Sequence, residues 1–363
     1  MLKSYKRSLR SITVLGLLVI CATVTFGFAQ TGTSYAQSSS ARGVTDYKLP
    51  GGADPWGTAF DSAGNVWVAA PGCDPQPRCA GGAAPGKLDV FNPRDDQWLK
   101  SISLPGNYGQ PLFIAFDHSG QAWFSMPMSN TIGVYNPANN SFGQWALPSA
   151  SSGPWDIAVD KSGKIWVTEH YGYKVASFNP ATQHFKEYAT SSTISAPYGI
   201  TVDGNNNVWF TENVDAVAKI GQISAHGHLT EYSIRNYNTS GTGLTPHMIT
   251  VDPSGNVWWS EGWVGSIGVL HVAAASPGTN HGVTEYQYNG NGNGSTHTSG
   301  ISAGPDGRIW LDDAIQNTVG YFDGQSFSFI NVPGNHPHDG LNVDANDNVW
   351  FDEEFSNALG RAN

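Results

Sequence analysis

Histidine and carboxylate side chains cluster near the carboxyl end of the chain. His336 and His338 are two residues apart, and Glu353 and Glu354 follow as an adjacent pair. Imidazole and carboxylate groups are common general bases in enzymes, and both bind divalent cations. A lone histidine would more simply be a surface residue, but four such groups in one short stretch indicate a functional site.

Two further histidines and two aromatic residues stand at related places earlier in the chain. Trp155, Tyr198 and His247 each follow a proline that opens a β-branched run, and His297 precedes a similar run. Aromatic and imidazole groups that converge on one cavity are typical of a small-molecule pocket. We therefore expect these four residues to bind a substrate.

All of these residues belong to a repeated segment in which one tryptophan recurs at the same place. The seven copies are marked by Trp67, Trp123, Trp166, Trp209, Trp258, Trp310 and Trp350. Their separations range from 40 residues (Trp310 to Trp350) to 56 residues (Trp67 to Trp123), which is the period of a propeller blade. Apart from the seventh, each copy holds four short β-branched or aromatic runs separated by turns, the composition of antiparallel strands. The sequence thus predicts an all-β fold, a seven-bladed β-propeller.

The two ends of the predicted propeller complete each other. The seventh copy stops after a third strand, and residues 44–50 repeat the pattern of the missing fourth one. Pairing the two ends closes the ring and removes an open sheet edge. We predict one domain over residues 44–363, with the last blade closed by the N-terminal strand.

The strand directions place the end of the second strand of each copy at the mouth of the central channel. The first two copies have Ala70 and Met126 at that position, and the other five have acids: Glu169, Glu212, Glu261, Asp313 and Glu353. Such a ring of acids invites a divalent cation. Each acid alone is more simply explained as a side chain that caps the amides of the next loop.

The first residues of the chain have the pattern of an export signal. Basic residues in the first ten positions precede an apolar stretch from Ile12 to Ala29. We predict a signal peptide over residues 1–29 and a disordered spacer over residues 30–43, hence a secreted or extracytoplasmic protein. The apolar stretch is long enough that an uncleaved membrane anchor is the alternative.

Charge and cysteine content narrow the range of partners. The chain has a formal net charge of −11, and loss of the signal peptide makes it about −15, which disfavours nucleic acid and anionic membranes as partners. We expect a monomer that binds a small molecule. Cys73 and Cys79 lie close together in an exported chain, so we expect a disulfide between them.

The repeat resembles that of the virginiamycin B lyase (streptogramin lyase) family. The segments Trp209-Phe-Thr-Glu-Asn and Lys219-Ile-Gly-Gln-Ile, with the recurring Pro-x-x-Ile-x-x-Asp, carry the resemblance, which extends over all seven copies. The resemblance implies a Mg²⁺-dependent carbon–oxygen lyase that confers antibiotic resistance by opening a cyclic depsipeptide through elimination, with a histidine as base.

In the family the last blade carries a Glu-Pro-His-Gly-Ile motif and a second metal-binding glutamate after the blade's tryptophan. The matching stretch here runs from His336 to Leu341, so the resemblance implies that His338 is the base and Glu354 a metal ligand. His336 stands where the family has its first metal glutamate, and Asp339 is an additional residue. In the family a substrate-binding Pro-His pair stands in the blade before the last one. The counterpart here is Pro246-His247, which stands one blade earlier than in the family.

Two other functions remain open from the sequence. A metal-dependent lactonase similar to the gluconolactonase group would use the carboxylates of the mouth to bind Ca²⁺ and activate water. A non-catalytic propeller similar to NHL-repeat modules would use Trp56, Trp155 and Tyr198 as a platform for stacking.

Overall fold

A computed structural model of the chain describes residues 38–39 (backbone), 43–50, 54–73, 79, 85–234, 243–288 and 295–363. The predicted signal peptide lies outside the described residues. So does the predicted spacer, apart from Ser38, Ser39 and Gly43. No helix among the described residues is long and apolar enough to cross a membrane.

The described chain contains seven sheets, each with four antiparallel strands and one with an additional parallel strand, which confirms the predicted seven-bladed propeller. The short strand β1 (Ser38–Ser39) and strand β2 (Val44–Lys48) precede the first blade. Blade one contains β3 (Thr58–Phe60), β4 (Val66–Ala70), β5 (Lys87–Asn92) and β6 (Gln97–Ser103). Blade two contains β7 (Ile114–Phe116), β8 (Ala122–Met126), β9 (Thr131–Asn136) and β10 (Ser141–Ala146). Blade three contains β11 (Pro154–Val159), β12 (Ile165–Glu169), β13 (Lys174–Asn179) and β14 (His184–Ala189).

The remaining blades repeat this order. Blade four contains β15 (Pro197–Val202), β16 (Val208–Glu212), β17 (Lys219–Ile223) and β18 (Leu229–Ser233). Blade five contains β19 (Pro246–Val251), β20 (Val257–Glu261), β21 (Ser266–Leu270) and β22 (Val283–Gln287). Blade six contains β23 (Thr298–Ala303), β24 (Ile309–Asp313), β25 (Thr318–Phe322) and β26 (Phe327–Asn331), with β1 added in parallel to β26. Blade seven contains β27 (Asn342–Val343), β28 (Val349–Glu353) and β29 (Ala358–Ala362). Short 3-10 helices cover Pro127–Ser129, Asp215–Val217, Val272–Ala274 and Glu354–Ser356.

Blade seven is completed from the other end of the described propeller. Strand β2 pairs with β29 in antiparallel register, from Val44 opposite Ala362 to Lys48 opposite Ala358. The closure by the N-terminal strand is thereby confirmed. It covers an edge of β29 that would otherwise present unpaired backbone groups.

The turn between the first two strands of a blade fixes the position of the blade's tryptophan. In blade three, Asp160 Oδ1 accepts the backbone N–H groups of Ser162 and Lys164 at 2.8 and 3.1 Å. Its Oδ2 accepts Trp166 Nε1–H at 2.8 Å. Gly163 takes the positive φ of 81° that the turn requires. Asp160 is therefore a turn-capping side chain.

The hydrophobic core lies between neighbouring blades. Trp209 of blade four and Trp259 of blade five, both fully buried, belong to one cluster with Ile249. Close packing within a blade depends on a glycine in the third strand. A Cβ on Gly221 would lie 2.0 Å from the ring of Phe210, so a larger residue would force the ring out of place.

Candidate functional site

A cavity of about 390 Å³ opens at one end of the central channel. It is formed by the residues that begin the first strands of the blades and by the loops that follow the second strands. Five histidines line it: His170, His247, His297, His336 and His338. Four aromatic residues, Trp56, Tyr198, Trp263 and Phe355, and the carboxylate of Glu354 complete most of the wall.

His338 lies on this wall beside the buried carboxyl group of Asp339. Its Nδ1 lies 3.6 Å from Asp339 Oδ2 and has no hydrogen-bond partner. Asp339 is 2% exposed and accepts hydrogen bonds from the hydroxyls of Tyr198 and Ser299, which belong to blades four and six. A carboxylate beside Nδ1 favours the tautomer with the proton on that atom, which leaves Nε2 as the basic nitrogen.

The imidazole rings of His247 and His297 contact each other on the same wall. Their Nε2 atoms are 3.1 Å apart, and His247 Nδ1 lies 2.6 Å from the carbonyl oxygen of Thr245. A carbonyl can only accept, so His247 carries its proton on Nδ1 and accepts His297 Nε2–H at Nε2. Burial lowers the pKa of both rings, and His247 and His338 lower that of His297 further. Both rings are neutral at pH 7, and Trp263 stacks on His297 at 4.3 Å between centroids.

His336 and Glu354 face each other at the edge of the cavity. His336 Nε2 lies 3.4 Å from Glu354 Oε2, and the imidazole stacks on Phe355 at 4.2 Å between centroids. Burial, followed by the neighbouring His338, lowers the pKa of His336 to about 4. The ring is therefore neutral at pH 7 and offers a nitrogen lone pair.

Two residues expected at the site lie elsewhere. Trp155 is completely buried and packs edge-on against Trp56 at 6.0 Å between centroids, so it supports the wall and does not line the cavity. Glu353 points away from the cavity, towards Gly334 and Asp46. Burial, with a contribution from Asp46, raises the pKa of Glu353 to about 8.

The other acids at the ends of second strands are also structural. Glu261 accepts Trp259 Nε1–H at 2.9 Å, and Asp313 accepts the Tyr288 hydroxyl at 2.6 Å. Glu169 and Glu212 are fully buried outside the cavity wall, and burial raises their pKa values to about 7 and about 8. The capping interpretation fits Asp313, whose Oδ1 accepts the backbone N–H groups of Ile315 and Gln316 at 3.1 and 2.9 Å, whereas Glu261 accepts hydrogen bonds from side chains.

Four residues of the cavity, Asn213, Thr245, Trp263 and Phe355, were missed by the sequence reasoning. Trp263 and Phe355 are 40% and 61% exposed and stand on the loops after β20 and β28. Each lies two residues after the acid that ends the second strand of its blade, and that spacing was the available signal. The predicted disulfide is confirmed: Cys73 and Cys79 are bonded, with their Cα atoms 5.4 Å apart.

The donors of the cavity differ from those expected for Mg²⁺ or Ca²⁺. Among the described residues, no three His, Cys, Asp or Glu side chains are grouped as a metal site. Glu354 is the one carboxylate on the wall, and its neighbour His336 offers nitrogen. Mg²⁺ and Ca²⁺ prefer six or more oxygen ligands, so this donor set does not fit them well.

Comparison with known proteins establishes the family. A family model described as the virginiamycin B lyase family matches residues 98–363, which include blades two to six and all of blade seven except β2. The chain belongs to the virginiamycin B lyase family. No curated protein sequence matches it.

Solved structures of virginiamycin B lyases share the fold. The selenomethionine protein from Staphylococcus aureus superimposes with a TM-score of 0.74 at 21% identity, over 88% of this chain and 99% of that one. A streptogramin B lyase structure gives 0.74 at 22% identity, over 89% and 97%. A catalytically inactive histidine-to-alanine variant of the S. aureus lyase with quinupristin gives 0.74 at 21%, over 88% and 99%. At these identities the likeness shows the propeller fold alone.

Proposed function

We propose that this member of the virginiamycin B lyase family is an exported carbon–oxygen lyase that opens a cyclic depsipeptide or a related ester by elimination. The observation that carries the proposal is His338 on the cavity wall, with Asp339 Oδ2 3.6 Å from its Nδ1. A base in a concave cavity lined by aromatic and imidazole rings suits the removal of a weakly acidic C–H proton.

In the proposed reaction His338 Nε2 takes the proton from the carbon next to a carbonyl. The electrons of the broken C–H bond form a carbon–carbon double bond, and the C–O bond of the ester breaks. The carboxylate leaves with the bonding electrons, the imidazole holds the proton, and no water is consumed. Asp339 stabilises the imidazolium, because its negative charge lies beside Nδ1.

The dimensions of the site support a substrate that is only partly enclosed. A volume of about 390 Å³ accommodates a drug-sized fragment, whereas a whole cyclic depsipeptide is larger. The exposed rings of Tyr171, Trp263 and Phe355 extend the apolar surface beyond the cavity. We propose that the ring of the substrate rests on these aromatic residues while its ester bond reaches His338. A small-molecule substrate, a monomeric protein and export by residues 1–29 belong to the same proposal.

The test is product analysis with streptogramin B. Purified protein, supplied in turn with Mg²⁺, Mn²⁺ and Zn²⁺, should yield a linear product of unchanged mass, because elimination adds no atoms. His338→Ala should lower kcat by about 10²–10⁴-fold, the usual contribution of a positioned base. His184→Ala, which changes an exposed histidine of β14, should leave the rate unaltered.

Other products would contradict the proposal. A mass gain of one water would indicate hydrolysis and favour the lactonase alternative. Binding without turnover under all three metals would favour a non-catalytic propeller. Unchanged turnover in His338→Ala would remove His338 from the chemistry.

A further inference from the structure

A second cavity, of about 470 Å³, lies between blades three and four, on the face opposite the histidine-lined cavity. Much of its wall consists of the turns that join first to second strands and third to fourth strands in these two blades. The two cavities share no lining residue. A volume of this size is within the range of small-molecule pockets, so the second cavity is large enough for a ligand of its own.

Lys164, on the wall of this cavity, is a departure from the repeat. In five blades the residue two before the tryptophan is an asparagine or glutamine whose amide donates to the aspartate of the turn at 2.8–3.0 Å. In blade three this residue is Lys164, and its ammonium group has no hydrogen-bond or ion-pair partner among the described residues. The carboxylate of Asp160 is already occupied by Trp166 Nε1–H, the Ser162 hydroxyl and two backbone N–H groups. The cavity wall therefore carries an unpaired cation.

Lys186 supplies a second cation from the outer strand of blade three. Its Nζ lies 4.5 Å from the centroid of the Tyr188 ring and close to blade four, since a Cβ on Gly227 would lie 3.3 Å from it. Ser177 is paired with Lys186 across β13 and β14 and is 7% exposed. Within the described part of the chain, the Ser177 hydroxyl has no hydrogen-bond partner and Lys186 has no carboxylate partner. Two ammonium groups and a nearly buried hydroxyl thus offer hydrogen bonds to one cavity.

We propose that the cavity between blades three and four binds a small phosphorylated molecule, with Lys164 and Lys186 contacting its phosphate group. A phosphate monoester carries a charge of about −1.5 to −2 at pH 7, which two ammonium groups balance. Lysine binds phosphate as a point charge, whereas planar carboxylates are better matched by arginine, and no arginine of the described chain lines this cavity. The rest of the cavity, with the Ser177 hydroxyl, accommodates the organic part of the ligand. The site is separate from His338, so the proposal does not rest on the elimination reaction.

The test is calorimetry of the full chain with glucose 6-phosphate, in a buffer that contains neither phosphate nor sulfate. We expect one molecule bound per chain, with an affinity that falls as salt is added. Lys164→Asn and Lys186→Thr introduce the residues that blade four has at the same places, Asn207 and Thr230. Each variant should weaken binding about tenfold or more, because a charge-assisted hydrogen bond is lost. The thermal midpoint of each variant verifies folding.

Lys100→Thr is the matched control variant. Lys100 is exposed and has the same register on the outer strand of blade one, where the turn has Asn65 in place of a second lysine. This variant should bind glucose 6-phosphate as the unaltered protein does. Glucose is the matched ligand and should bind about tenfold more weakly or not at all, because it lacks the phosphate group.

Three results would overturn the proposal. No binding of glucose 6-phosphate would refute the site, and glucose binding as tight as that of glucose 6-phosphate would refute the role of the phosphate group. An equal loss of affinity in Lys100→Thr and Lys164→Asn would show a general attraction of anions to lysine. Because these measurements report binding at the opposite face, they remain decisive if streptogramin B is not a substrate.

Discussion

The contact between His338 Nδ1 and Asp339 Oδ2, 3.6 Å long, favours the tautomer with the proton on Nδ1. Asp339 is itself fixed by the hydroxyls of Tyr198 and Ser299, so three blades contribute to the position of one ring. This arrangement makes Asp339 a positioning residue, since it acts on the substrate through His338.

Asp339→Asn should lower kcat about 10²-fold and leave KM nearly unchanged, because the amide no longer stabilises the imidazolium. In this variant the removal of the substrate's C–H proton by His338 should determine more of the overall rate than in the unaltered protein. The primary deuterium isotope effect with substrate labelled at the reacting carbon should increase. Ser299→Ala is the matched control, since it removes one hydrogen bond to Asp339 but keeps the charge. An equal loss of rate in both variants would indicate a structural role only.

Most of the cavity residues could be predicted from the sequence, because the repeat places equivalent positions at one mouth. His247, His297, His336, His338, Tyr198 and Glu354 all line the cavity. Glu353 does not, because successive side chains at the end of a strand alternate in direction. It faces β2, while Glu354, the first residue of the next 3-10 helix, faces the cavity. The partners of Asp339 could not be predicted, because they lie in other blades.

At the level of strands, the fourth residue of the second strand links neighbouring blades. In blades two to five it is a serine or threonine whose hydroxyl donates to a backbone carbonyl of the following blade; these residues are Ser125, Thr168, Thr211 and Ser260. Blades six and seven have Asp312 and Asp352 there, each fully buried. One oxygen of each accepts a backbone N–H, and the other has no hydrogen-bond partner.

Burial raises the pKa of both carboxyls well above the usual range. Above about pH 4 the unfolded chain releases protons that the folded chain retains. The free energy of unfolding should therefore fall as the pH rises from about 4 towards the raised pKa values.

Asp312→Asn should make the free energy of unfolding less dependent on pH, because the amide is neutral at every pH. We expect a gain on the order of 1–2 kcal/mol at pH 8 and little change at pH 4, measured by urea unfolding at both values. Asp95→Asn, at an exposed position in the turn before β6, should change neither value. A loss of stability at pH 8 would show that Asp312 is ionised in the folded protein.

At the level of the whole molecule, the fold follows from the repeat and its interruption. Seven tryptophan-containing segments and a missing last strand were sufficient to predict seven blades and their closure by β2. The added strand β1 beside β26 could not be predicted, since Ser38 and Ser39 carry no strand pattern.

A disulfide across the closure should stabilise the ring strongly. Val44 and Ala362 are paired across β2 and β29. The double variant Val44→Cys, Ala362→Cys would close a loop that contains nearly the whole propeller. Loop-closure entropy predicts a gain of about 5 kcal/mol, against about 2–3 kcal/mol for a short loop within one blade. Cysteines in place of Gln222 and Thr230, paired within blade four, provide that comparison. Equal thermal midpoints for the two oxidised variants would show that closure does not limit stability.

The pairing of β2 with β29 also orders events during synthesis. Strand β2 is made before blade one, whereas its partner β29 is made only after blades one to six. Until then the early strand has an unpaired edge, and blades one and six lack the sheet that should lie between them. Contacts this distant in sequence form slowly, and exposed edges aggregate. The yield of folded protein should therefore depend on a chaperone or on slow synthesis. This dependence should be weaker for a propeller in which every blade is built from consecutive strands.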